Sequence, residues 1–287
     1  MPSRKIFQIK AGDKILELGS RTAIMGILNV TPDSFSDKGK YIDPSRAVER
    51  AWKIAEEGAD ILDIGAESTR PGSRGVDADE ELSRLMPILE ALGDRYPIPI
   101  SIDTSKAIVA RATLQHGASI INDVTSLRDP SMGPLVAELN AAVILMHMRG
   151  TPLNMQIMPP SRDILADIDT WAQEAVARAE NSGVSSDKIV LDPGIGFGKT
   201  AEQNFEILRN LDHLSASGFP VLVGTSRKSF IGSIVDKPSD KLVLGTGATV
   251  AASIVLGAHI VRVHDVAEMR EVADVTDAIV GNGSASF

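Results

Sequence analysis

Short apolar runs alternate with longer amphipathic segments along most of this chain. The runs are rich in Ile, Val and Leu, and about eight of them have the length and flanking turn residues of β-strands. These strands are predicted at residues 24–28, 61–64, 98–102, 119–121, 143–146, 189–191, 221–223 and 260–263. Helical periodicity appears between them, as at residues 45–57, 79–92, 164–181 and 247–256.

The repeated order of strand and helix predicts a parallel sheet, because parallel neighbours need a long crossover connection. We therefore expect an α/β fold, a single-domain (β/α)8 TIM barrel over residues 1–287, with a doubly wound open sheet as the alternative. Ahead of the first barrel strand, residues 6–9 and 15–18 flank the polar turn Ala11-Gly12-Asp13. This pattern predicts an N-terminal β-hairpin at the bottom of the barrel.

Composition narrows the class of protein. The chain is 43% hydrophobic and 23% charged, which is typical of a soluble globular protein. It has no apolar run of about 18 residues and no signal-like start, so we expect a cytoplasmic protein with no membrane partner. The net charge of −9 argues against a nucleic-acid partner. The absence of cysteine excludes disulfides, thiolate metal sites and a cysteine nucleophile.

Polar residues follow nearly every predicted strand. One such residue is ordinarily a helix cap or a turn former. Carboxylates and amides after most strands are harder to explain in that way, because burying them costs free energy unless each has a partner. In a barrel they converge on the C-terminal mouth, where the active sites of this fold lie. The set comprises Asn29, Asp63, Glu67, Asp103, Asn122, His147, Asp192, Ser226, Arg227, Lys228, Arg262 and His264.

The polar residues divide into acceptors and donors. Asp103, Asn122 and Asp192 offer acceptors suited to a heterocycle with several N–H groups. Cationic or donor side chains suited to a phosphate ester or diphosphate come from Arg70, Lys228, Arg262 and His264. Asn29 offers one oxygen ligand for Mg²⁺, which binds few protein groups and relies on substrate phosphates. The sequence therefore predicts a ligand with a donor-rich ring and an anionic tail.

Two familiar glycine motifs are incomplete. The segment 198–200, Gly-Lys-Thr, resembles the end of a phosphate-binding P-loop, but Pro193 occupies the position of its first glycine, so this segment is interpreted as a helix entry. Gly194, Gly196 and Gly198 lack dinucleotide-binding spacing and predict a close approach of backbone to a flat ligand. A hydrolytic serine is not expected, because no Gly-x-Ser-x-Gly elbow occurs.

Five segments carry a resemblance to a known family. The chain resembles the dihydropteroate synthases, folate-pathway enzymes inhibited by sulfonamides, from residue 24 to residue 264. The most specific segments are GILNVTPDSFSD at 26–37, ESTRPG at 67–72, SIDT at 101–104, DPGIGFGK at 192–199 and SRKS at 226–229. One departure is Lys38, where the family commonly has glycine.

The resemblance implies a complete set of site residues and a homodimer. It implies a pterin pocket formed by Asp103, Asn122, Asp192 and Lys228, with Met146 packed on the ring. It implies a diphosphate and Mg²⁺ site at Asn29, Arg70, Arg262 and His264. It implies contacts to para-aminobenzoate from Thr69, Pro71, Phe197 and Ser226, covered by Phe35.

The implied reaction joins 6-hydroxymethyl-7,8-dihydropterin diphosphate to para-aminobenzoate and releases pyrophosphate. Catalysis is expected from electrostatic stabilisation of a pterin cation by Asp192. Departing pyrophosphate is expected to be stabilised by Mg²⁺ with Arg70, Arg262 and His264. Lys228 is expected to donate to the pterin carbonyl or a ring nitrogen. Asp37 or Asp33 is expected to bridge the cation and the amine once the loops close.

Three other functions are compatible with parts of this pattern. A methyltransferase using methyltetrahydrofolate shares the acidic middle strands but leaves Arg70 and the segment 226–229 unexplained. A non-catalytic pterin-binding paralogue is expected to lose phosphate-binding residues, and here they are present. A sugar-phosphate barrel enzyme does not predict the acidic middle strands.

Overall fold

The computed structural model describes residues 4–31, 43–68, 73, 75–155 and 157–281. An antiparallel hairpin comes first, formed by β1 (Phe7–Ala11) and β2 (Lys14–Leu18). Eight further strands follow: β3 (Ala23–Asn29), β4 (Ile61–Gly65), β5 (Ile100–Asp103), β6 (Ile120–Asp123), β7 (Ala142–Met146), β8 (Ile189–Asp192), β9 (Leu222–Val223) and β10 (Ile260–Val263).

Helices occupy the connections between these strands. They are α1 (Pro44–Glu56), α2 (Ala78–Leu92), α3 (Ala107–Leu114), α4 (Met132–Glu138), α5 (Ile164–Asn181), α6 (Ala201–Arg209), α7 (Leu211–Ser215), α8 (Ser229–Val235), α9 (Val243–Val255) and α10 (Val266–Val280). Short 3-10 helices lie at Gly93–Arg95, Ser186–Lys188 and Ser239–Lys241. None of the helices in the described part of the chain is both long enough and apolar enough to cross a bilayer.

The eight strands form one parallel sheet in the order β8-β7-β6-β5-β4-β3-β10-β9. Its two end strands also meet, because Leu191 forms a parallel bridge with Val221 and its N–H donates to the carbonyl of Pro220 at 3.0 Å. The sheet therefore closes on itself. This closure confirms the predicted TIM barrel with its N-terminal hairpin, while the one-domain organisation over residues 1–287 stays a prediction.

Most predicted element bounds agree with the structure to within two residues. Two strands differ by two residues: β6 ends at Asp123 rather than at residue 121, and β5 begins at Ile100 rather than at residue 98. Proline has no N–H, so Pro99 cannot donate to the ladder and the strand begins after it. The last predicted helix begins four residues early, at Val243. Glycine has a low helix propensity, so the glycines at 245 and 247 kept the first turn of this helix out of the prediction.

The hairpin fills the bottom of the barrel, as predicted. Its buried residues Ile9 and Leu18 pack against inward-facing side chains from the starts of the strands, among them Met25, Ile61 and Ile260. The outer faces of the same strands pack against the helices in a second and larger cluster. Parallel strands with both faces covered are apolar at nearly every position. A polar residue within such a strand is therefore conspicuous.

Several helices begin at side-chain caps. Asp43 accepts a hydrogen bond from the N–H of Ser45 at 2.9 Å at the start of α1, with Pro44 as the first helical residue. Asp77 caps α2 and Asp163 caps α5 in the same way. An oxygen at this position satisfies an N–H that the helix leaves unpaired. These caps fix where each helix leaves the loops of the barrel mouth.

A buried ion pair closes the bottom of the barrel. Arg4 pairs with Asp277 near the end of α10, and both side chains are almost inaccessible to solvent. The Arg4 guanidinium also donates to Thr22 Oγ1 at 2.6 Å and to the carbonyl of Ala258 at 2.7 Å. Asp277 in turn accepts from the N–H of Thr22 at 2.6 Å. This network attaches the N-terminal segment and the last helix to the first and last barrel strands.

We expect Asp277→Ala to lower the free energy of unfolding by about 3 to 5 kcal/mol, because it leaves the Arg4 charge buried without its partner. The matched control is Glu138→Ala, which breaks the solvent-exposed pair between Arg111 and Glu138. Chemical denaturation measures both variants. A change for Asp277→Ala no larger than that for the control would contradict the role of the buried pair.

Candidate active site

The C-terminal ends of the barrel strands bring together every described residue that the sequence assigned to the site. Asn29, Asp103, Met146 and Asp192 end their strands, while Asn122 and Arg262 lie one residue before a strand end. Phe197 follows β8, Ser226 and Lys228 follow β9, and His264 follows β10. The roles of these residues stay predictions, but their positions at the same end of the barrel allow them to form one site.

Arg262 lies at the centre of this mouth between two carboxylates. Its Nε donates to Asp63 Oδ2 at 2.6 Å, and its Nη2 donates to Asp103 Oδ2 at 3.0 Å. Asp63 is completely buried and belongs to β4, whereas Asp103 belongs to β5. The guanidinium of Arg262 thus spans from β10 across β3 to both strands. It is an internal partner of the acceptor residues as well as a candidate ligand for an anion.

Asn122 presents an acceptor that the protein leaves free. Its Nδ2 donates to Asp63 Oδ2 at 3.3 Å, which fixes the orientation of the amide. Its Oδ1 is buried and has no hydrogen-bond partner among the described residues. Leaving a buried acceptor unpaired costs free energy, about 1 to 3 kcal/mol in typical cases. A ligand with an N–H group would remove that cost.

Burial changes the acidity of two carboxyl groups in the mouth. Burial, together with the neighbouring Asp63, raises the pKa of Asp103, although Arg262 opposes the shift. Burial raises the pKa of Asp192 to about 6, although the N–H of Gly194, which donates to Asp192 Oδ1 at 2.7 Å, and the cation of Lys228 oppose the shift. Asp192 is therefore mostly ionised at neutral pH. Perturbed acids that share a cleft are typical of functional sites.

Lys228 and Phe197 meet at one wall of the mouth. The Nζ of Lys228 lies 4.1 Å from the centroid of the Phe197 ring, within the range of a cation–π contact. Phe197 also packs against an apolar cluster that includes Met146 and Met148. Burial and the nearby Arg262 lower the pKa of Lys228 to about 8, while Asp192 acts in the opposite direction. Lys228 is therefore still protonated at neutral pH.

The loops after β9 and β10 are attached to each other. Ser226 Oγ lies 3.0 Å from His264 Nδ1 and accepts from the N–H of His264 at 3.2 Å. Arg227 has a left-handed backbone with φ of 59° and forms an ion pair with Asp265. Burial and the neighbouring arginines lower the pKa of His264 to about 3. His264 is thus a neutral hydrogen-bonding residue, which removes it from the cations that the sequence allowed.

A second ion network supports the loop after β4. Lys106 pairs with Glu67, the second residue after that strand, and donates to Glu81 Oε2 at 2.7 Å. Glu81 belongs to α2 and is completely buried. The network positions the start of the segment 67–72 that the sequence singled out. The predicted site residues Thr69, Arg70, Pro71, Phe35 and Asp37, with the alternative Asp33 and the departure Lys38, lie outside the described residues.

The sequence analysis gave no role to three residues that organise the mouth. The importance of Asp63 could have been recognised from the sequence, because it is an acidic residue in an otherwise apolar strand. Glu81 gave no signal, since its acidic neighbours on α2 are ordinary for the first turn of a helix. Lys199 was interpreted with Thr200 as a helix entry. Thr200 does cap α6 in a capping box, whereas Lys199 turns into the protein.

Two of the three glycines after β8 approach protein backbone. A Cβ added to Gly194 would lie 1.9 Å from the carbonyl oxygen of His147, and one added to Gly198 would lie 2.4 Å from that of Arg149. Both glycines have positive φ, at 66° and 69°. Only glycine fits such a position. At these two glycines the close approach is to the segment after β7, whereas a Cβ added to Gly196 would meet the side chain of Lys228, and one added to Gly194 would also lie 3.2 Å from Met146 Cγ. The predicted approach to a flat ligand stays a prediction.

The oxygen atoms of the described residues at the mouth are too few to hold a metal ion by themselves and suit one only together with a bound substrate. Within the described ranges, no group of three His, Asp or Glu side chains could hold a metal ion. Asn29 Oδ1 and Asp103 Oδ2 both lie within 4 Å of the position that a Gly65 side chain would occupy. One amide oxygen beside a carboxylate fits Mg²⁺, which retains several waters and uses substrate phosphates as ligands.

Comparison with known proteins identifies the family. A sequence model described as "Pterin binding enzyme" matches residues 25–264. A dihydropteroate synthase from Synechocystis sp. is 47% identical over 273 residues, which cover 94% of each chain. The chain belongs to the dihydropteroate synthase family. Membership also fixes the fold, because the related structures are barrels of the same kind.

Two solved dihydropteroate synthases illustrate the likeness. The Yersinia pestis protein, solved in complex with a sulfonamide drug, has a TM-score of 0.91 and 41% identity, covering 96% of this chain and 100% of the other. The Xanthomonas albilineans protein, solved with 4-aminobenzoic acid, has a TM-score of 0.89 and 39% identity, covering 96% and 98%. Members of the family are transferases, and this chain is one of them by sequence and by fold.

We expect Lys228 to titrate near pH 8, and Asp192→Asn to lower that pKa further, because Asp192 is ionised above about pH 6 and its charge stabilises the ammonium. Protein labelled with ¹³C-lysine reports the titration through the Cε shift. Lys228→Arg, which lacks the signal, assigns it. An unchanged or higher pKa in Asp192→Asn would show that the two groups do not interact.

Proposed function

We propose that this chain condenses 6-hydroxymethyl-7,8-dihydropterin diphosphate with para-aminobenzoate to give 7,8-dihydropteroate and pyrophosphate. The carbon–oxygen bond to the diphosphate breaks, a carbon–nitrogen bond to the amine forms, and the amine loses one proton. The observation that carries the proposal is the free buried acceptor of Asn122, which lies one residue before the end of its strand, at the same mouth as the buried carboxylate of Asp192. Such a pocket suits a flat ring with several N–H donors.

The pterin ring is proposed to lie among Asp103, Asn122, Asp192 and Lys228. Asn122 Oδ1 and the Asp192 carboxylate would accept from ring N–H groups, because each is buried and faces the mouth. Lys228 would donate to the pterin carbonyl or a ring nitrogen. Met146 would pack on the ring, since it belongs to the apolar cluster at this wall.

The diphosphate and Mg²⁺ are proposed to bind beside Asn29 with help from Arg262 and Arg70. When bound, Mg²⁺ would neutralise charge that builds up on the departing pyrophosphate. Asn29 would supply one ligand to the ion. His264 would contribute hydrogen bonds rather than charge, because its low pKa keeps it neutral.

The chemistry depends on making the pterin methylene carbon electrophilic, because an aromatic amine is a weak nucleophile. An ionised Asp192 beside the ring favours the electron-deficient state electrostatically. Arg262, held by Asp63, is oriented without relying on substrate. Asp37, or alternatively Asp33, is proposed to bridge the electron-deficient pterin and the amine once the loops close.

Para-aminobenzoate is proposed to contact Phe197 and Ser226, with Thr69, Pro71 and Phe35 completing its site. The relative that was solved with 4-aminobenzoic acid supports this second substrate. Phe197 offers an aromatic face next to Lys228, and Ser226 is held in place by His264. An aromatic carboxylate can use both kinds of contact.

The deciding experiment supplies purified protein with pterin diphosphate, para-aminobenzoate and Mg²⁺ and follows pyrophosphate and dihydropteroate. We expect one pyrophosphate for each dihydropteroate formed. EDTA should stop product formation, and added Mg²⁺ should restore it. Asn122→Leu, which removes the free acceptor, should weaken binding of the pterin diphosphate about 10- to 100-fold.

The other outcomes separate the alternatives. Binding of pterin diphosphate without product would identify a non-catalytic paralogue. No binding would remove the pterin pocket and the proposal with it. Full activity in EDTA would contradict only the proposed Mg²⁺ site.

We also propose that the protein acts in the cytoplasm as a homodimer. The neighbouring helices α8, α9 and α10 expose large apolar side chains on one side of the barrel, namely Ile234, Val235, Leu244, Val275 and Ile279. Large apolar side chains exposed on adjacent helices are typical of a protein interface when they form one patch. A second copy of the chain is the proposed occupant, as in an isologous dimer.

We expect the double variant Val275→Lys, Ile279→Lys to be monomeric where the parent protein is dimeric, because it places buried charges at the interface. Sedimentation equilibrium measures the mass of each. Ile108→Lys is the control, since Ile108 is comparably exposed on α3, away from these helices. A dimer that survives the double variant would move the interface elsewhere.

A further inference from the structure

Lys199 is a buried lysine whose donors are all used by backbone carbonyls. Its Nζ donates to the carbonyl of His147 at 3.0 Å, of Gly194 at 2.8 Å and of Phe197 at 3.2 Å. The side chain is only 8% exposed. An ammonium has three donors, so these carbonyls saturate it.

Burying the ammonium of Lys199 among neutral carbonyls is unfavourable in free energy. A buried cation normally has a carboxylate partner, because burial of a charge is unfavourable. The bonds of Lys199 go to neutral carbonyls, and Asp192 helps only from a distance. Burial accordingly lowers the pKa of Lys199 to about 7 against the effect of Asp192. An apolar side chain would be the ordinary occupant of this position if packing alone mattered.

The three carbonyls come from two different segments. Gly194 and Phe197 belong to the loop at residues 193–198, whereas His147 follows β7. At Gly194 and Gly198 this loop lies directly on the backbone of residues 147–149. Lys199 therefore joins the 193–198 loop to the segment beneath it.

The same loop sets the wall of the site. It carries Phe197, whose ring lies under the Nζ of Lys228, and Gly196, where an added Cβ would lie 3.2 Å from Lys228 Cδ. The pterin acceptors Asp103, Asn122 and Asp192 belong to strands instead, and of these only Asp192 contacts the loop, where it accepts from the N–H of Gly194 at 2.7 Å. A shift of the loop should affect the Phe197 wall more than the pterin acceptors.

We propose that Lys199 is a positioning residue that holds the 193–198 loop on residues 147–149 and so fixes Phe197 for para-aminobenzoate. Lys199 touches neither substrate. This inference rests on the proposed function for its kinetic consequence, but its structural consequence is independent of the reaction.

The first test is Lys199→Met, which keeps the length of the side chain and removes every donor. We expect the KM for para-aminobenzoate to rise about 10- to 100-fold, as for the loss of hydrogen bonds to a charged group. The Kd for the pterin diphosphate should change less than about threefold, because the pterin acceptors belong to strands rather than to the loop. Lys199→Gln, a polar neutral variant, should show a smaller rise in the same KM.

Lys188→Met is the matched control. Lys188 is also buried, at 6% exposure, and it donates to the carbonyl of Asn140. It precedes β8, at the end of the barrel opposite the site. Loss of a buried lysine there should lower stability without changing either substrate constant.

Hydrogen exchange tests the loop without any substrate. The N–H of Gly196 donates to Asn204 Oδ1 at 2.6 Å, and that of Phe197 donates to the carbonyl of Gly194 at 3.1 Å. In both Lys199 variants these amides should exchange faster, while the first turn of α6 stays protected by its Thr200 cap. Lys188→Met should leave them unchanged.

The outcomes distinguish this inference from the proposed function. Normal exchange of the loop and an unchanged KM in a folded Lys199 variant would overturn the positioning role. Equal losses of pterin diphosphate and para-aminobenzoate binding would also overturn it. Failure of the parent protein to form dihydropteroate would reject the proposed function, and the exchange experiment would still decide the role of Lys199.

Discussion

The mouth of this barrel is organised around one half-buried arginine. Arg262 reaches from the last strand to Asp63 and Asp103 on strands that are not its neighbours. Removing one partner from such a cluster leaves a buried charge uncompensated. The three side chains therefore act as a unit, which restrains the inner face of the mouth and also orients Asn122 through Asp63.

The loops of the mouth are held by side-chain contacts between one loop and another rather than by Arg262. Arg227 adopts a left-handed conformation that costs roughly 1 to 2 kcal/mol, and its ion pair with Asp265 opposes that cost. Ser226 binds His264, and Lys199 joins the glycine loop to the segment after β7. The loops are thus fixed mainly by contacts with one another. These contacts hold the side chains of the loops in defined positions, although none of them lies on a strand.

The alternation of apolar runs and helical periodicity was sufficient to predict the barrel, because parallel strands need crossovers. The positions of Asn29, Asp103, Asn122 and Asp192 followed from the same pattern. The sequence could not give Lys199 its role, since its partner His147 is remote along the chain. Nor could it give the neutral state of His264, which depends on burial and on neighbouring arginines. The roles predicted for residues of the first two loops remain predictions.

The charge balance of the mouth bears on how the diphosphate is bound. Asp63 and Asp103 pair with Arg262, and Asp192 and Lys228 interact electrostatically, so much of the positive charge is already opposed by carboxylates before any substrate binds. A diphosphate adds negative charge that these cations alone are poorly placed to neutralise. Asn29 supplies a neutral oxygen and His264 a neutral ring. The proposed Mg²⁺ site and the predicted role of Arg70 would supply additional positive charge, and on that proposal binding of the metal should depend on the diphosphate.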